Sequence, residues 1–138
     1  PPFDISLSDF VESKIKATPF LQPPVEYIQS WARILKSIFV SLMLLKTRAP
    51  SAPRLSLVVD EAGQLGPFPE LLKAYTYGAG AGLRPIGVWQ STSQMKKNGQ
   101  DAETIIPAGS QLQVLFGMRD LGSATQTSKI LGQETLHK

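Results

Sequence analysis

Apolar and polar positions along this 138-residue chain follow two different periods, and the change between them predicts its elements. From residue 25, apolar side chains recur at helical spacing along one face, whose members are Tyr27, Trp31, Ile34, Leu35, Ile38, Leu42 and Leu45. Pro24 suits the first turn of this helix. The proline-rich residues 47–53 are expected to end the helix and to form a linker to the next element.

A mostly apolar, β-branched run follows the linker at residues 54–59 and ends in two adjacent carboxylates, Asp60 and Glu61. Its length and composition predict a strand that is buried on both faces, as inside a parallel sheet. Neighbouring strand residues point to opposite faces, so the two acids do not form a symmetric pair. They lie where the strand leaves the sheet, and ligands of open α/β sheets gather outside the carboxyl ends of strands.

The rest of the chain alternates between predicted helices and strands. Before residue 25 we expect a surface turn or short helix at 4–10, and a strand at 17–21 that Pro19 would confine to an edge or a strand end. After the acids we expect a loop at 62–66, then a helix that runs from about residue 67 to the glycines of 78–82, and then a strand at 84–89. Two short helices are expected at 91–97 and 102–106, followed by a strand at 111–116 and a helix at 120–131. This alternation predicts an α/β layer with parallel neighbouring strands and right-handed crossovers.

Composition excludes several classes of site. The chain has no cysteine and a single histidine, His137, which excludes disulfides, thiolate chemistry, histidine triads and clustered-histidine zinc sites within it. The net charge of +3 is small and the basic residues are dispersed, so charge alone does not indicate nucleic-acid binding. The most apolar window, residues 34–45, is shorter than the roughly 20 residues that span a bilayer. Because the chain begins at Pro1 without a methionine, we expect it to be part of a longer protein.

A buried strand that ends in two acids is the Walker B pattern of P-loop nucleotide hydrolases. In that pattern Asp60 would hold Mg²⁺ through its water shell, and Glu61 would orient or deprotonate the attacking water. The alternative is an ordinary strand that ends in a solvated turn with two acids. The pattern alone leaves both interpretations open.

Two glycine-containing segments imitate phosphate-binding loops. The glycines of residues 78–82 follow a helix and precede a strand, which is the reverse of the dinucleotide-binding arrangement. Residues 117–124 have the glycine spacing of a P-loop, but Ser123 and Ala124 stand where the lysine and the magnesium-binding hydroxyl are needed. The chain therefore has the acids of a hydrolytic site without a phosphate cradle, and we expect it to show no ATPase activity by itself.

Gln90 closes the strand that is predicted to neighbour the acidic strand, so its amide could reach a γ-phosphate or the attacking water. The alternative is a glutamine that caps the turn before Ser91 or Ser93. Arg33, Arg84 and Arg119 are candidates for stabilising charge on a transferring phosphoryl group. Surface ion pairing is the favoured interpretation of each, and Arg119 is the most suggestive because it lies in a loop at the carboxyl end of a predicted strand.

Three aromatic residues, Tyr27, Trp31 and Trp89, could stack on a base. At their positions core packing is the favoured interpretation.

Several segments together resemble a known family. Residues 57–66 are similar to the Walker B segment of type IV secretion coupling proteins, the TraG/TraD family of conjugation ATPases, in which an LLDE run leads into a leucine-glycine pair. Residues 82–95 resemble that family's next strand, which ends in a glutamine followed by a serine-glutamine pair. Residues 102–106 and 116–132 continue the family order, and Pro23-Pro24 resembles the LPP before the equivalent helix.

The resemblance implies a fold and a set of roles. It implies that residues 1–138 form the later half of a motor domain: an α/β, partial RecA-like (P-loop NTPase) parallel sheet flanked by helices and lacking the Walker A half. ATP and Mg²⁺ would be the cofactors, with Asp60 as the Mg²⁺-associated acid, Glu61 as the catalytic carboxylate and Gln90 as the γ-phosphate sensor. Arg119 is our own candidate for an inter-subunit arginine finger.

The resemblance also implies partners and a location for the parent protein. It would be a homo-hexamer on the cytoplasmic face of the bacterial inner membrane that delivers single-stranded DNA and relaxase to the type IV secretion channel. Two alternatives share the acids: another RecA-like DNA translocase or packaging motor, and a non-catalytic recognition or assembly module on the same fold.

Overall fold

The computed structural model describes residues 6–12, 14, 16–117 and 121–132 of the chain. Six helices and two strands lie in these ranges, joined in several places by short 3₁₀ turns. In chain order they are α1 Leu7–Val11, α2 Ile28–Arg48, β1 Leu55–Val59, α3 Pro69–Tyr77, β2 Leu83–Gly87, α4 Thr92–Met95, α5 Ala102–Ala108 and α6 Leu121–Leu131. The α/β class and the helices predicted near residues 91–97, 102–106 and 120–131 are confirmed, the last of them from Leu121 onward.

The sheet consists of β1 and β2, which are parallel and in register from Leu55 opposite Leu83 to Val59 opposite Gly87. Helix α3 makes the crossover between them, because parallel strands cannot be joined by a tight turn. The glycine-rich return also forms as predicted: Gly82 adopts a left-handed conformation (φ 77°) immediately before β2. The predicted parallel neighbours are thus confirmed, and the RecA-like identity of the sheet stays a prediction.

Only one face of the sheet is covered. Leu55, Leu57 and Val59 are buried, whereas Val58 between them is 64% exposed. Ile86, the register partner of Val58, is 49% exposed on the same open face. The prediction that β1 is buried on both faces is therefore wrong for the described residues, because helices pack against one side of the strands only.

Two predicted strands do not form. The described residues at 17–21 and 111–116 have no strand pairing, and the second of these segments is extended and largely exposed, with Phe116 at 87%. Their β-branched and aromatic composition favours a strand, but a strand also needs a neighbour to accept its backbone hydrogen bonds. No neighbour lies beside them in the described part of the chain.

Helix α2 packs mainly through its second half, and Ala32 is the buried residue of its first half. Leu42 is buried, and Ile38 and Leu45 pack against the buried cluster of Val11, Leu42, Leu55, Leu57 and Leu83. By contrast Tyr27 and Trp31 are 60% and 45% exposed, so the prediction that these two rings fill the core is wrong. The part of the predicted apolar face that carries Tyr27 and Trp31 lies beyond the elements that cover Ile38, Leu42 and Leu45.

The same helix meets a length and composition criterion for crossing a membrane. The helical stretch Val25–Arg48 is long and apolar enough, with only 11% of its apolar window buried. This helical stretch is longer than residues 34–45, the apolar window that by itself is too short to span a bilayer. The criterion is weak evidence by itself, since core helices of soluble proteins also meet it.

Two lysines of α2 tie the helix to the segments around β1. Lys46 is fully buried, and its Nζ donates to the carbonyl oxygens of Ala49 (3.0 Å), Pro50 (3.3 Å) and Ala52 (2.9 Å). The residues between α2 and β1 are thereby held as an ordered turn. Nearer the start of the helix, Lys36 donates to the Pro67 carbonyl at 2.6 Å, in the loop after β1.

A second buried cluster lies under the carboxyl end of β1. Its members are Val59, Ala62, Phe68 and Leu71. Phe39 of α2 packs edge-on against Phe68, with ring centroids 5.5 Å apart. This cluster anchors both ends of the loop that carries the two acids, since Val59 precedes them and Ala62 follows them.

Candidate functional site

The loops that follow β1 and β2 are held side by side by backbone hydrogen bonds beyond the paired strands. Val88 donates its N–H to the Val59 carbonyl at 3.0 Å, and Ala62 donates to the Val88 carbonyl at 2.9 Å. Asp60 and Glu61 lie between Val59 and Ala62, and Gln90 follows two residues after Val88. The structure therefore places the two acids and the amide at one edge of the sheet, the edge where ligands of α/β sheets bind.

Glu61 has an unusual backbone conformation. Its φ of 50° and ψ of 45° lie in the left-handed region, which a non-glycine residue adopts at a cost of about 1 kcal/mol or more. The backbone N–H of Glu61 donates to Asp60 Oδ1 at 3.0 Å, which stabilises this turn. Backbone strain of this kind is concentrated at functional sites, where the surrounding structure maintains it.

The side chain of Glu61 is held by Gln64. Gln64 Nε2 donates to Glu61 Oε2, and the backbone N–H of Gln64 donates to the Glu61 carbonyl at 2.8 Å. These bonds close a short 3₁₀ turn over Ala62–Leu65. One carboxylate oxygen of the exposed Glu61 is thus fixed, and the second has no hydrogen-bond partner among the described residues. The three-residue spacing of Gln64 from Glu61 is compatible with this contact but does not determine it, because the contact depends on the left-handed turn at Glu61.

Gln90 is bound by a second glutamine that the sequence did not single out as a site residue. Its backbone N–H donates to Gln94 Oε1 at 3.1 Å, and Gln94 Nε2 lies 3.4 Å from Gln90 Oε1. Ser91 and Ser93, the turn residues suggested as capped by Gln90, instead pair through their hydroxyls at 2.8 Å. Gln90 itself is exposed beside the acidic loop, and both its backbone N–H and its side-chain carboxamide lie against Gln94 of α4.

A packed aromatic pair supports this edge from below. The rings of Tyr75 and Trp89 are 6.2 Å apart between centroids, and a side chain at Gly87 would overlap the Trp89 ring. Burial raises the pKa of the Tyr75 hydroxyl, and a hydrogen bond from the Gly87 backbone partly opposes this. Trp89 therefore packs into the structure as predicted, although its buried Nε1–H has no partner among the described residues.

An open cleft of about 500 Å³ adjoins the acidic loop. Its lining is rich in carboxamides and comprises Gln29, Ala32, Gly63, Gln64, Leu65, Gly66, Gln94 and Lys97. Gln64 and Gln94 connect the cleft to Glu61 and Gln90 through the bonds described above. The cleft thus runs between the start of α2 and the two loops at the carboxyl edge.

The arginines are not gathered at this edge. Arg84 is exposed near the start of β2, where it is paired with Ser56, and so lies towards the opposite end of the strand from Gln90. Arg33 is exposed on α2 and lines a second cleft with Ser30 and with Gln29, which also lines the first cleft. Arg119 lies outside the described residues. The structure therefore brings none of the described arginines to the acids.

The donor set suits one kind of metal site only. Within the described ranges no group of three or more His, Cys, Asp or Glu side chains could enclose a metal ion. Mg²⁺ usually keeps several waters and takes one or two carboxylates together with substrate phosphates. Asp60 and Glu61, both exposed at the sheet edge, fit such a water-shell role and do not fit an all-protein cage.

Comparison with known proteins gives one match. A family model described as the TraM recognition site of TraD and TraG matches residues 54–138, which include β1, β2 and both loops of the site. Searches of curated proteins and of solved structures gave no match. The matched region starts one residue before β1 and contains Asp60, Glu61, Gln90 and Arg119, whereas the candidates Tyr27, Trp31 and Arg33 lie before it.

Proposed function

This chain belongs to the TraG/TraD family over residues 54–138, and we propose that it is part of a conjugative coupling protein that hydrolyses ATP during DNA transfer. The family match supports the coupling-protein assignment, and it favours neither another DNA translocase nor a packaging motor. The hydrolytic part of the proposal rests on the geometry of the carboxyl edge.

One observation carries the hydrolytic proposal. Val59 and Gly87 are register partners at the ends of two parallel strands, so Asp60, Glu61 and Gln90 follow them at the same edge. In a nucleotide hydrolase, phosphoryl transfer is catalysed mainly by positioning and by charge stabilisation, with an acid or amide orienting the water. Two acids and an amide at one edge supply those groups.

Each residue has a distinct part in the proposed site. Asp60 would hold Mg²⁺ through water, and Mg²⁺-bound ATP would supply the reacting γ-phosphoryl group. Glu61, with one oxygen fixed by Gln64, presents the other oxygen to orient a water and accept its proton. Gln90 would sense the γ-phosphate through its carboxamide. The phosphate cradle has to come from elsewhere in the parent protein, as the sequence holds no complete P-loop.

Recognition of a TraM-like protein is a second proposed activity. The matched family is described as the TraM recognition site of TraD and TraG, and the match covers more than half of the chain. We propose that residues 54–138 take part in binding this relaxosome component. Binding of the purified chain to TraM, measured by calorimetry against an unrelated DNA-binding protein, tests this activity without requiring nucleotide.

The remaining features of the proposal concern the parent protein. They are a homo-hexameric assembly at the cytoplasmic face of the inner membrane, transfer of single-stranded DNA with relaxase to the secretion channel, and Arg119 as an inter-subunit finger. The assembly, the location and the transferred substrates follow from the family resemblance, whereas the role of Arg119 is our own inference from its place in the sequence.

The hydrolytic function is tested by the Mg²⁺ dependence of ATP hydrolysis in the full-length protein. Asp60→Asn should raise the Mg²⁺ concentration for half-maximal rate by about tenfold or more, because a carboxamide attracts the hydrated ion less strongly. Glu26→Gln provides a control, since Glu26 is an exposed acid on the turn before α2. An Asp60→Asn protein with unchanged Mg²⁺ dependence would contradict the role of Asp60.

A further inference from the structure

We infer that Gln94 is a positioning residue that links the acidic loop after β1 to Gln90 after β2. Its side chain accepts from the Gln90 backbone N–H at 3.1 Å through Oε1 and lies 3.4 Å from Gln90 Oε1 through Nε2. The functional part of this inference rests on the proposed role of Gln90 in hydrolysis. The structural part stands on the contacts of Gln94 alone.

The link to the acidic loop is made at Gly63. A Cβ placed on Gly63 would lie 2.5 Å from Gln94 Cδ and 3.1 Å from Gln94 Cβ, and it would overlap Gln94 Oε1. Gly63 has an ordinary negative φ, so its lack of a side chain is not required by its backbone conformation. The glycine instead leaves the space in which the carboxamide of Gln94 sits.

The same carboxamide oxygen therefore faces both loops. It bonds the backbone of Gln90 and fills the space against Gly63, which is two residues beyond Glu61. The backbone bonds between the two loops end at Ala62 and Val88, and beyond that point the side chain of Gln94 connects the loops. A displacement of the acidic loop at Gly63 would thus move Gln94 and break its hydrogen bond with the Gln90 backbone N–H.

Hydrogen exchange of the chain itself tests the link without nucleotide. Gln94→Met keeps the side-chain length but removes both the oxygen and the NH2 group of the carboxamide, and it should speed exchange at the Gln90 backbone N–H by about fivefold. Gln94→Glu keeps an acceptor oxygen and should leave that rate within about twofold. Gln29→Met, which alters another glutamine of the same cleft, is the matched control and should have no effect at Gln90.

Gly63→Ala tests the link from the other loop. The added methyl group should displace Gln94 and speed exchange at Gln90 to a similar extent as Gln94→Met. The Val88 amide, bonded to Val59, reports on the sheet and should keep its protection in both variants. Faster exchange at Gln90 alone supports the inference, whereas an unchanged Gln90 amide, or an equal loss of protection at Val88, would overturn it.

Activity of the full-length protein separates the link from the proposed reaction. If Gln94 positions Gln90, Gln94→Met should lower kcat by about tenfold with little change in KM, and Gln94→Glu should restore most of it. An unmodified protein without ATPase activity would refute the proposed function and leave the exchange result standing. Normal kcat in Gln94→Met, together with fast exchange at Gln90, would show that the link has no part in catalysis and would overturn its positioning role.

Discussion

Val88 donates its backbone N–H to the carbonyl of Val59 at 3.0 Å, just beyond the last register pair of the two strands. This bond continues the parallel ladder into the loops and brings the segment after β2 beside the two acids. The candidate site is thus carried by backbone geometry, and its side chains are then oriented by two glutamines, Gln64 and Gln94.

Replacing Glu61 with glycine should stabilise the chain. A left-handed backbone costs a non-glycine residue about 1 kcal/mol or more, and glycine adopts it without that cost. We expect the free energy of unfolding of Glu61→Gly to rise by about 0.5–1 kcal/mol in urea denaturation. Asp101, with φ of 58°, is the matched position, and Asp101→Gly should act in the same direction. A less stable Glu61→Gly would show that the Gln64 contact outweighs the backbone strain.

Removing the charge of Lys46 should destabilise the chain strongly. Its buried ammonium satisfies three carbonyl oxygens between the end of α2 and the start of β1. Lys46→Met leaves these acceptors unsatisfied and should lower the free energy of unfolding by about 3 kcal/mol. Lys73→Met, at an exposed position of α3, should change it by less than about 0.5 kcal/mol. Equal effects of the two substitutions would contradict the described role of Lys46.

A methyl group at Gly87 should disturb the aromatic support of the site. Its Cβ would overlap the Trp89 ring and approach Tyr75 Oη to 2.9 Å. We expect Gly87→Ala to cost about 1–3 kcal/mol and to shift the tryptophan fluorescence, because overpacking forces the rings apart. Gly80→Ala is the control, as no atom lies within 4 Å of its added Cβ. An unchanged melting temperature in Gly87→Ala would show that the ring pair rearranges freely.

The raised pKa of Tyr75 should make stability fall at alkaline pH. Burial raises the pKa of this hydroxyl in the folded chain above its unfolded value near 10. The folded state therefore keeps its proton where the unfolded state loses it, so this stabilisation is complete below about pH 10 and is lost as the pH rises through the raised pKa. Tyr75→Phe should flatten the decline of unfolding free energy above pH 10. Identical slopes in the two proteins would contradict the burial effect.

The site was more predictable than the surroundings of the strands. Strand order, parallel pairing and the shared edge of Asp60 and Gln90 follow from the alternation of elements, because a helix such as α3 can return the chain to the end of the sheet where the first strand began. The left-handed backbone of Glu61 and the contacts of Gln64 and Gln94 depend on turn geometry, which spacing alone does not determine. These contacts became visible only in the structure.

The errors share one physical cause. The open face of β1 at Val58, the exposed Trp31 and the unpaired segment at 111–116 each have the composition of a buried element. Composition indicates that a surface is suited to burial, but burial also requires a second surface beside it. The described part of the chain provides that surface for one face of the sheet and for half of α2.

The rate of ATP hydrolysis by the Glu61→Gln full-length protein, measured beside its affinity for ATP, tests the central claim most directly. Glutamine keeps the size of the side chain but cannot accept the proton of the attacking water. The account predicts normal ATP binding with hydrolysis reduced by about a hundredfold or more. Hydrolysis near the wild-type rate would contradict the assignment of Glu61 and, with it, the hydrolytic site at this edge of the sheet.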